Sequence, residues 1–218
     1  MARPKTALID PEVAVRTALE MIDQEGLASF SLEKLSKRLG VRGPSLYHHF
    51  TDRADLLSHV AKLVLREVPD PWEGDDEGRS GEPWDEQVLR MTLEFRRAML
   101  RHPNAGPLLL EHFPRELVLR VYERVVTVLE DEGVPDSYHL LIFEGLEKLT
   151  LGSALYWSAV GVRANGQHRK PFGDISADGY PALGRAVGAS DYDDESLFEA
   201  SCRAFLDGIK AEVAAGGA

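Results

Sequence analysis

Residues 31–57 read SLEKLSKRLGVRGPSLYHHFTDRADLL. Ser31 is of the residue type that caps a helix, and Leu32, Leu35 and Leu39 follow at helical spacing. Lys34 stands where a capping box would place an acid, so only half of that signature is present. Gly40-Val41 breaks the helix. Gly43-Pro44 opens another, expected to run through Phe50, with proline at a first-turn position where its missing N–H costs nothing. Asp52 caps a further helix bearing Leu56, Leu57, Val60, Leu63 and Val64. The stretch is two short amphipathic helices joined by a tight turn. Leu35, Leu39, Val41, Leu46 and Phe50 are expected to form the inner core that sets their angle. That arrangement leaves Ser45, His48 and His49 on the outer face of the second helix, Tyr47 beside them and Arg42 just before its N-terminus.

A short helix with hydroxyl and imidazole groups outward suits a DNA major groove roughly 12 Å wide. Ser31, Lys37, Arg42, Tyr47 and Arg53 are phosphate-gripping types, aided by free N–H groups at the helix start near Pro44. Upstream, Asp10-Pro11 opens a helix carrying Val15, Ala18, Leu19 and Ile22, and Gly26 closes it. The net charge of −11 is unusual for a DNA binder, but it is not evenly spread. Residues 1–60 carry 8 Lys and Arg against 8 Asp and Glu, while residues 61–218 carry 17 against 28. The acidity belongs to the second part, and phosphate contact depends on local placement.

These residues resemble a known family. Leu-x-x-Leu-x-x-x-Leu-Gly-Val-x-x-Pro-Ser-Leu-Tyr-x-His-Phe, followed by Asp-Arg-x-x-Leu-Leu, is similar to the DNA-binding head of tetracycline-repressor (TetR) family regulators over residues 10–60. The resemblance implies that Pro44 to Phe50 is the recognition helix. It puts Ser45, Tyr47 and His49 at base- or phosphate-contacting positions, and Arg53 where the family grips a phosphate. Further on, Arg101-His102-Pro103, the Phe143–Gly152 stretch and Phe205-Leu206-Asp207-Gly208 resemble the C-terminal domain of tetracycline repressors. Pro69, Leu109 and Tyr156 stand where that repressor offers His and Glu to magnesium–tetracycline, so tetracycline is not the expected inducer. Glu33 replaces a base-reading Arg, which implies a different operator.

Beyond residue 60, helices are expected at roughly 84–101, 115–132, 137–163 and 193–214. The Gly-, Pro- and acid-rich stretch from Pro69 to Pro83 reads as a linker, and residues 164–190 as irregular. No strand alternation or internal repeat is visible. The fold class expected is all-α, with a three-helix helix-turn-helix head at 1–52 and a larger sensing and dimerisation bundle at 53–218. Gly145, Gly152, Ser153, Ala154 and Ala159 are small residues that permit close helix approach. With the broad apolar face of 193–214, and as the resemblance implies, they point to a homodimer joined by a four-helix bundle. Phe95, Met99, His102, His112, Phe113, Phe143, Tyr156 and Trp157 are the candidate lining of a pocket for a small, partly hydrophobic organic ligand.

Other classes find less support. The chain has no Gly-x-Ser-x-Gly, Gly-x-x-x-x-Gly-Lys or His-Glu-x-x-His pattern, so no enzymatic activity is expected. No cofactor or metal is expected either: adjacent His48 and His49 point ~100° apart on a helix, and Asp136-x-x-His139 reads as a cap. Cys202, the only cysteine, sits among Phe198, Phe205 and Ile209 as a core residue and excludes an internal disulfide. The apolar run from about Tyr138 to Val162 is broken by Glu144, Glu147 and Lys148, and reads as a buried helix with no membrane role. With no secretory signal, a cytoplasmic location is expected. The function expected is a ligand-responsive repressor on a palindromic operator of double-stranded DNA. A ligand-indifferent or activating DNA binder, or a protein–protein adaptor on the same fold, stays open beside it.

Overall fold

A computed structural model describes residues 9–69, 81–112, 114–160 and 179–216, and among these every regular element is helical. The helices at this end of the chain begin on the residues that the sequence marks. In α1 (Pro11–Glu25) Asp10 accepts from Glu12 N at 2.9 Å, and Gly26, at φ +81°, closes the helix through a bond to Ile22 O. In α2 (Leu32–Arg38) Ser31 Oγ accepts from Lys34 N at 3.2 Å. Gly40 then takes φ +67°, a left-handed conformation that glycine adopts without strain, and the chain turns sharply. Asp52 accepts from Asp55 N at 2.8 Å to open α4 (Arg53–Arg66).

The third helix differs from expectation. α3 is regular only over Gly43–Leu46, and residues 47–49 continue as turns. His49 N and Phe50 N both bond back to Leu46 O at 3.0 Å, which draws the last turn tight and returns Phe50 to the core. Leu35, Leu46 and Phe50 are buried as expected, while Leu39 and Val41 pack at the edge of the cluster.

After α4 the body continues with α5 (Trp84–Arg101), α6 (Gly106–Glu111), α7 (Arg115–Asp131), α8 (Asp136–Val160), α9 (Pro181–Gly188) and α10 (Asp194–Gly216). The four long helices match the expected ones. α6 was not anticipated, and α9 falls inside the segment expected to be irregular. Residues 70–80 of the expected linker, residues 161–178 and the Phe113 position lie outside the described residues.

Two apolar cores organise the chain. One gathers Ala14, Leu19 and Ile22 of α1, Leu35 of α2, Leu46, and Leu56, Leu57, Val60 and Val64 of α4, then continues into Met99, Leu108, Leu109 and Ala154. It therefore passes from the head into the body without a break at residue 52. The other joins Trp84, Val88 and Leu89 of α5, Val125 and Leu129 of α7, Ile142 and Leu146 of α8, and Phe198, Cys202, Leu206 and Ile209 of α10. Fully burying a leucine contributes about 1.5–3 kcal/mol, so these rows fix the helices in place.

Arg96, only 2% exposed, pins three body helices together. It ion-pairs with Asp194, donates from Nε to Ser153 Oγ at 2.9 Å and lies 4.7 Å over the Phe198 ring. A Cβ on Gly145 would overlap the Phe205 ring, so α8 and α10 approach within one chain at that glycine. Of the small residues on α8, Gly145, Ser153 and Ala154 thus serve contacts within the chain, whereas Gly152 is exposed with open space beside it.

Candidate DNA-reading surface and ligand cavity

The expected recognition residues gather on one exposed end of the head. Tyr47 is 58% exposed, and Arg42, Pro44, His48 and His49 are exposed around it, with Ser45 half-buried. Their backbone is held from behind by Leu46 and Phe50, so the outer side chains take no part in the core. Ser31 spends an acceptor on the α2 cap. Lys37 is paired at 2.6 Å with Glu33, whose carboxyl the lysine holds below the usual range. The two opposite charges thereby offset each other within α2. Arg53 donates to Leu27 O at 3.3 Å and lies 5.8 Å over the Phe30 ring, which fastens the start of α4 to the connection between α1 and α2. The Arg42 side chain is exposed and, among the described residues, makes no ion pair or hydrogen bond, so it is open to a phosphate.

A cavity of about 670 Å³ opens between α4, α5, α7 and α8. Its lining is mostly apolar: Val88, Met91 and Phe95 of α5, Leu117, Val118 and Val121 of α7, Phe143 and Leu146 of α8. The end of α4 and the residues after it, from Leu65 to Pro69, close one side. This size and character suit a drug-sized organic molecule. Tyr122 supplies the central polar group. Its ring stacks on Phe143 at 4.5 Å between centroids, and its hydroxyl donates to Glu147 Oε2 at 2.6 Å. Burial, and then the Glu147 carboxylate, push the phenol well above its ordinary range, so it stays an O–H donor at any working pH. Thr92 and Thr150 also line the wall, each hydroxyl bonded to a carbonyl of its own helix.

Of the expected lining, Phe95 and Phe143 border this cavity. Met99 is buried in the core shared with the head, His102 bridges two carboxylates at the head–body seam, and Tyr156 is exposed. His112 and Trp157 are half-buried and do not border it. Of the three positions compared with the drug-binding residues of tetracycline repressors, Pro69 lines the cavity, while Leu109 is core and Tyr156 faces out. Tyr122, Glu147 and Thr150 were missed. The available signal was a tyrosine on an otherwise charged-and-aliphatic helix, and a glutamate interrupting an apolar one. Cys202 is fully buried, and burial pushes its thiol up to about 11, in keeping with a core role.

The geometry of the head defines a helix-turn-helix DNA-binding protein carrying an all-helical body. Residues 14–60 match the family model for bacterial regulatory proteins of the tetR family, and residues 77–213 match the tetracyclin repressor-like C-terminal domain. The chain belongs to the TetR family of transcriptional regulators. It is 33% identical to an HTH-type transcriptional regulator of Saccharopolyspora erythraea over 101 residues, 46% of this chain and 40% of that one. It is 26% identical to the class D tetracycline repressor protein of Escherichia coli over 149 residues, 68% of this chain and 66% of that one. The chain thus spans less than two thirds of the length of both curated relatives. Among solved structures, apo ActR from Streptomyces coelicolor superimposes with a TM-score of 0.71 at 27% identity, covering 96% of this chain and 99% of that one. The same protein in complex with actinorhodin gives 0.70 at 27% identity, covering 95% and 99%.

Proposed function

We propose that this regulator is a homodimeric repressor that leaves its DNA when a small, partly hydrophobic organic molecule enters the cavity. One observation carries the reading: Leu65 to Pro69 form a wall of the cavity, while the same α4 begins at Asp52 and Arg53, directly after the recognition turn. A molecule pressing on that wall displaces a rigid rod whose other end is fastened to the head. A coupling of ~3 kcal/mol would change DNA affinity on the order of 100-fold. ActR, solved in complex with actinorhodin, supports a small-molecule effector for the same fold. The head (1–52) reads DNA and the body (53–218) senses and dimerises, with no enzymatic step.

Exposed apolar residues on α8 and α10 support the partner surface. Leu141, Leu149 and Tyr156 of α8 are exposed within an arc of about 80°. On α10, Leu197, Ser201, Ala204, Gly208 and Ala211 form an exposed stripe of mostly small residues. Two such helix pairs related by a two-fold axis would bury both rows in a four-helix bundle. The two recognition helices would then face successive major grooves of a near-palindromic operator, roughly 34–36 Å apart.

The test is fluorescence anisotropy with DNA flanking the protein's own gene, across a salt series. Selective binding that weakens steeply with salt is the expected result. Weak binding to every fragment at low salt would sink the repressor reading and favour an adaptor.

A further inference from the structure

At the seam between head and body, His102 lies between two carboxylates from different helices. Its Nδ1 is 2.7 Å from Asp23 Oδ2 in the last part of α1, and its Nε2 is 3.0 Å from Glu67 Oε1, the residue that ends α4. Carboxylates only accept, so an imidazole satisfying both must donate from both nitrogens and carries a positive charge. Arg101 joins from the end of α5, Nε to Glu67 Oε2 and a second nitrogen to Glu67 O, both at 3.0 Å. Asn104 Nδ2 donates to Asp23 O at 2.8 Å. The other Asp23 carboxylate oxygen is buried with no hydrogen-bond partner, so His102 is the cation on which that carboxylate depends. Glu67 is also a wall residue of the ligand cavity.

We propose that His102, as an imidazolium, is the positioning residue that couples the cavity to the head by tying Glu67 at the end of α4 to Asp23 of α1. This rests on the reading that the cavity takes an effector and the head binds DNA. Moving Glu67 pulls on His102, and His102 pulls on α1, so the head receives the signal through α1 as well as through α4. The tie is also pH-dependent. The Asp23 bond, aided by Glu67 and opposed by burial, raises His102 above the ordinary imidazole value. Burial raises the Glu67 carboxyl, and the bonds from Arg101 and His102 outweigh it, so that group stays ionised across the neutral range. A raised histidine gives its full contribution below about pH 6.5 and loses it as pH climbs through the folded value. Asp23, Glu67 and Arg101 are the charged groups that α1, α4 and α5 bring to this cluster.

The experiment uses the full chain with two substitutions, His102→Gln and His102→Lys. Amide hydrogen exchange, corrected for its intrinsic pH dependence, reports local opening at residues 20–25 and 62–67 from pH 6 to 9. In wild type, exchange there should quicken by about tenfold over that range. His102→Gln should exchange fast throughout, and His102→Lys slowly throughout, because a lysine keeps its charge. Anisotropy with the same flanking DNA should follow the same order. If Gln and wild type share one profile, or Lys retains the wild-type pH dependence, the proposal is overturned. DNA binding indifferent to all three forms overturns it too. An intact exchange pattern without any DNA binding instead sinks the regulator reading and leaves the tie standing. Should the Lys variant not fold, Glu67→Gln, which weakens one arm only, must give a profile between wild type and His102→Gln.

Discussion

In the head, three helices share one core with the start of the body's α4, and the recognition turn leaves Arg42, Tyr47, His48 and His49 in water. In the body, α8 and α10 bury one row each yet leave Leu141, Leu149, Tyr156 and Leu197 exposed. Both regions are made of amphipathic helices capped in ordinary ways. The difference lies in what their outer faces offer. A polar, cationic rim competes poorly for another protein and well for phosphate, whereas an aliphatic row beside a small-residue stripe competes well for a second helix pair. On the proposed reading, surface chemistry separates the nucleic-acid end from the dimerising end, while one of the two cores passes from the first into the second.

The largest effect expected is on assembly. Leu141→Glu with Leu149→Glu changes four leucines across the proposed two-fold interface, on the order of 6 kcal/mol lost. Sedimentation should show a monomer, and an unchanged mass would break the contrast between the two surfaces. Next comes Leu57→Ala in the shared core, fully buried, which should lower stability by about 2–5 kcal/mol in urea unfolding. Because that core crosses the head–body boundary, the loss should appear in one transition; a separate early transition of the head would show that the two regions are uncoupled. Gly145→Val forces a side chain against Phe205 and should cost about 1–3 kcal/mol in thermal unfolding. No change would mean that α8 and α10 can slide apart freely. Tyr47→Ala should weaken DNA binding by about tenfold, ~1.4 kcal/mol, with an unaltered melting temperature, since the side chain is largely in water. The smallest shift is expected for Glu33→Gln, which frees Lys37. DNA affinity should rise by about twofold at low salt and not at high salt.

How much of this was legible in the residues depended on distance along the chain. The head was readable because its signals are local: Asp10, Ser31 and Asp52 each cap within three residues, and Gly26 and Gly40 turn the backbone where they stand. The long body helices were readable from period alone. α9 was not, because its eight residues include a proline and two glycines and hold a single apolar repeat, Leu183 and Val187. α6 is only six residues long, too short for one. In the cavity, Phe95 and Phe143 could be picked out as aromatics among aliphatics, but Tyr122 and Glu147 became a pair only when α7 folded against α8, across 25 positions. His102, one of the candidate pocket residues, lies instead at the head–body seam, where its partners are 79 and 35 positions away and so invisible to local pattern.

The two halves of α7 carry different burdens. Its buried residues, Val125, Val128 and Leu129, all lie in its C-terminal half. The half from Arg115 to Arg124 contributes no residue to either core, yet Leu117, Val118, Arg120, Val121 and Tyr122 line the cavity. α8, by contrast, lines the cavity while also holding the Gly145 contact and the exposed leucine row. Selection for a new effector therefore has a cheap direction in which to move. Substitutions along the first three turns of α7 can remodel what the sensor admits while leaving the folded scaffold intact, so that stretch is where drift and directed evolution should retune this regulator fastest.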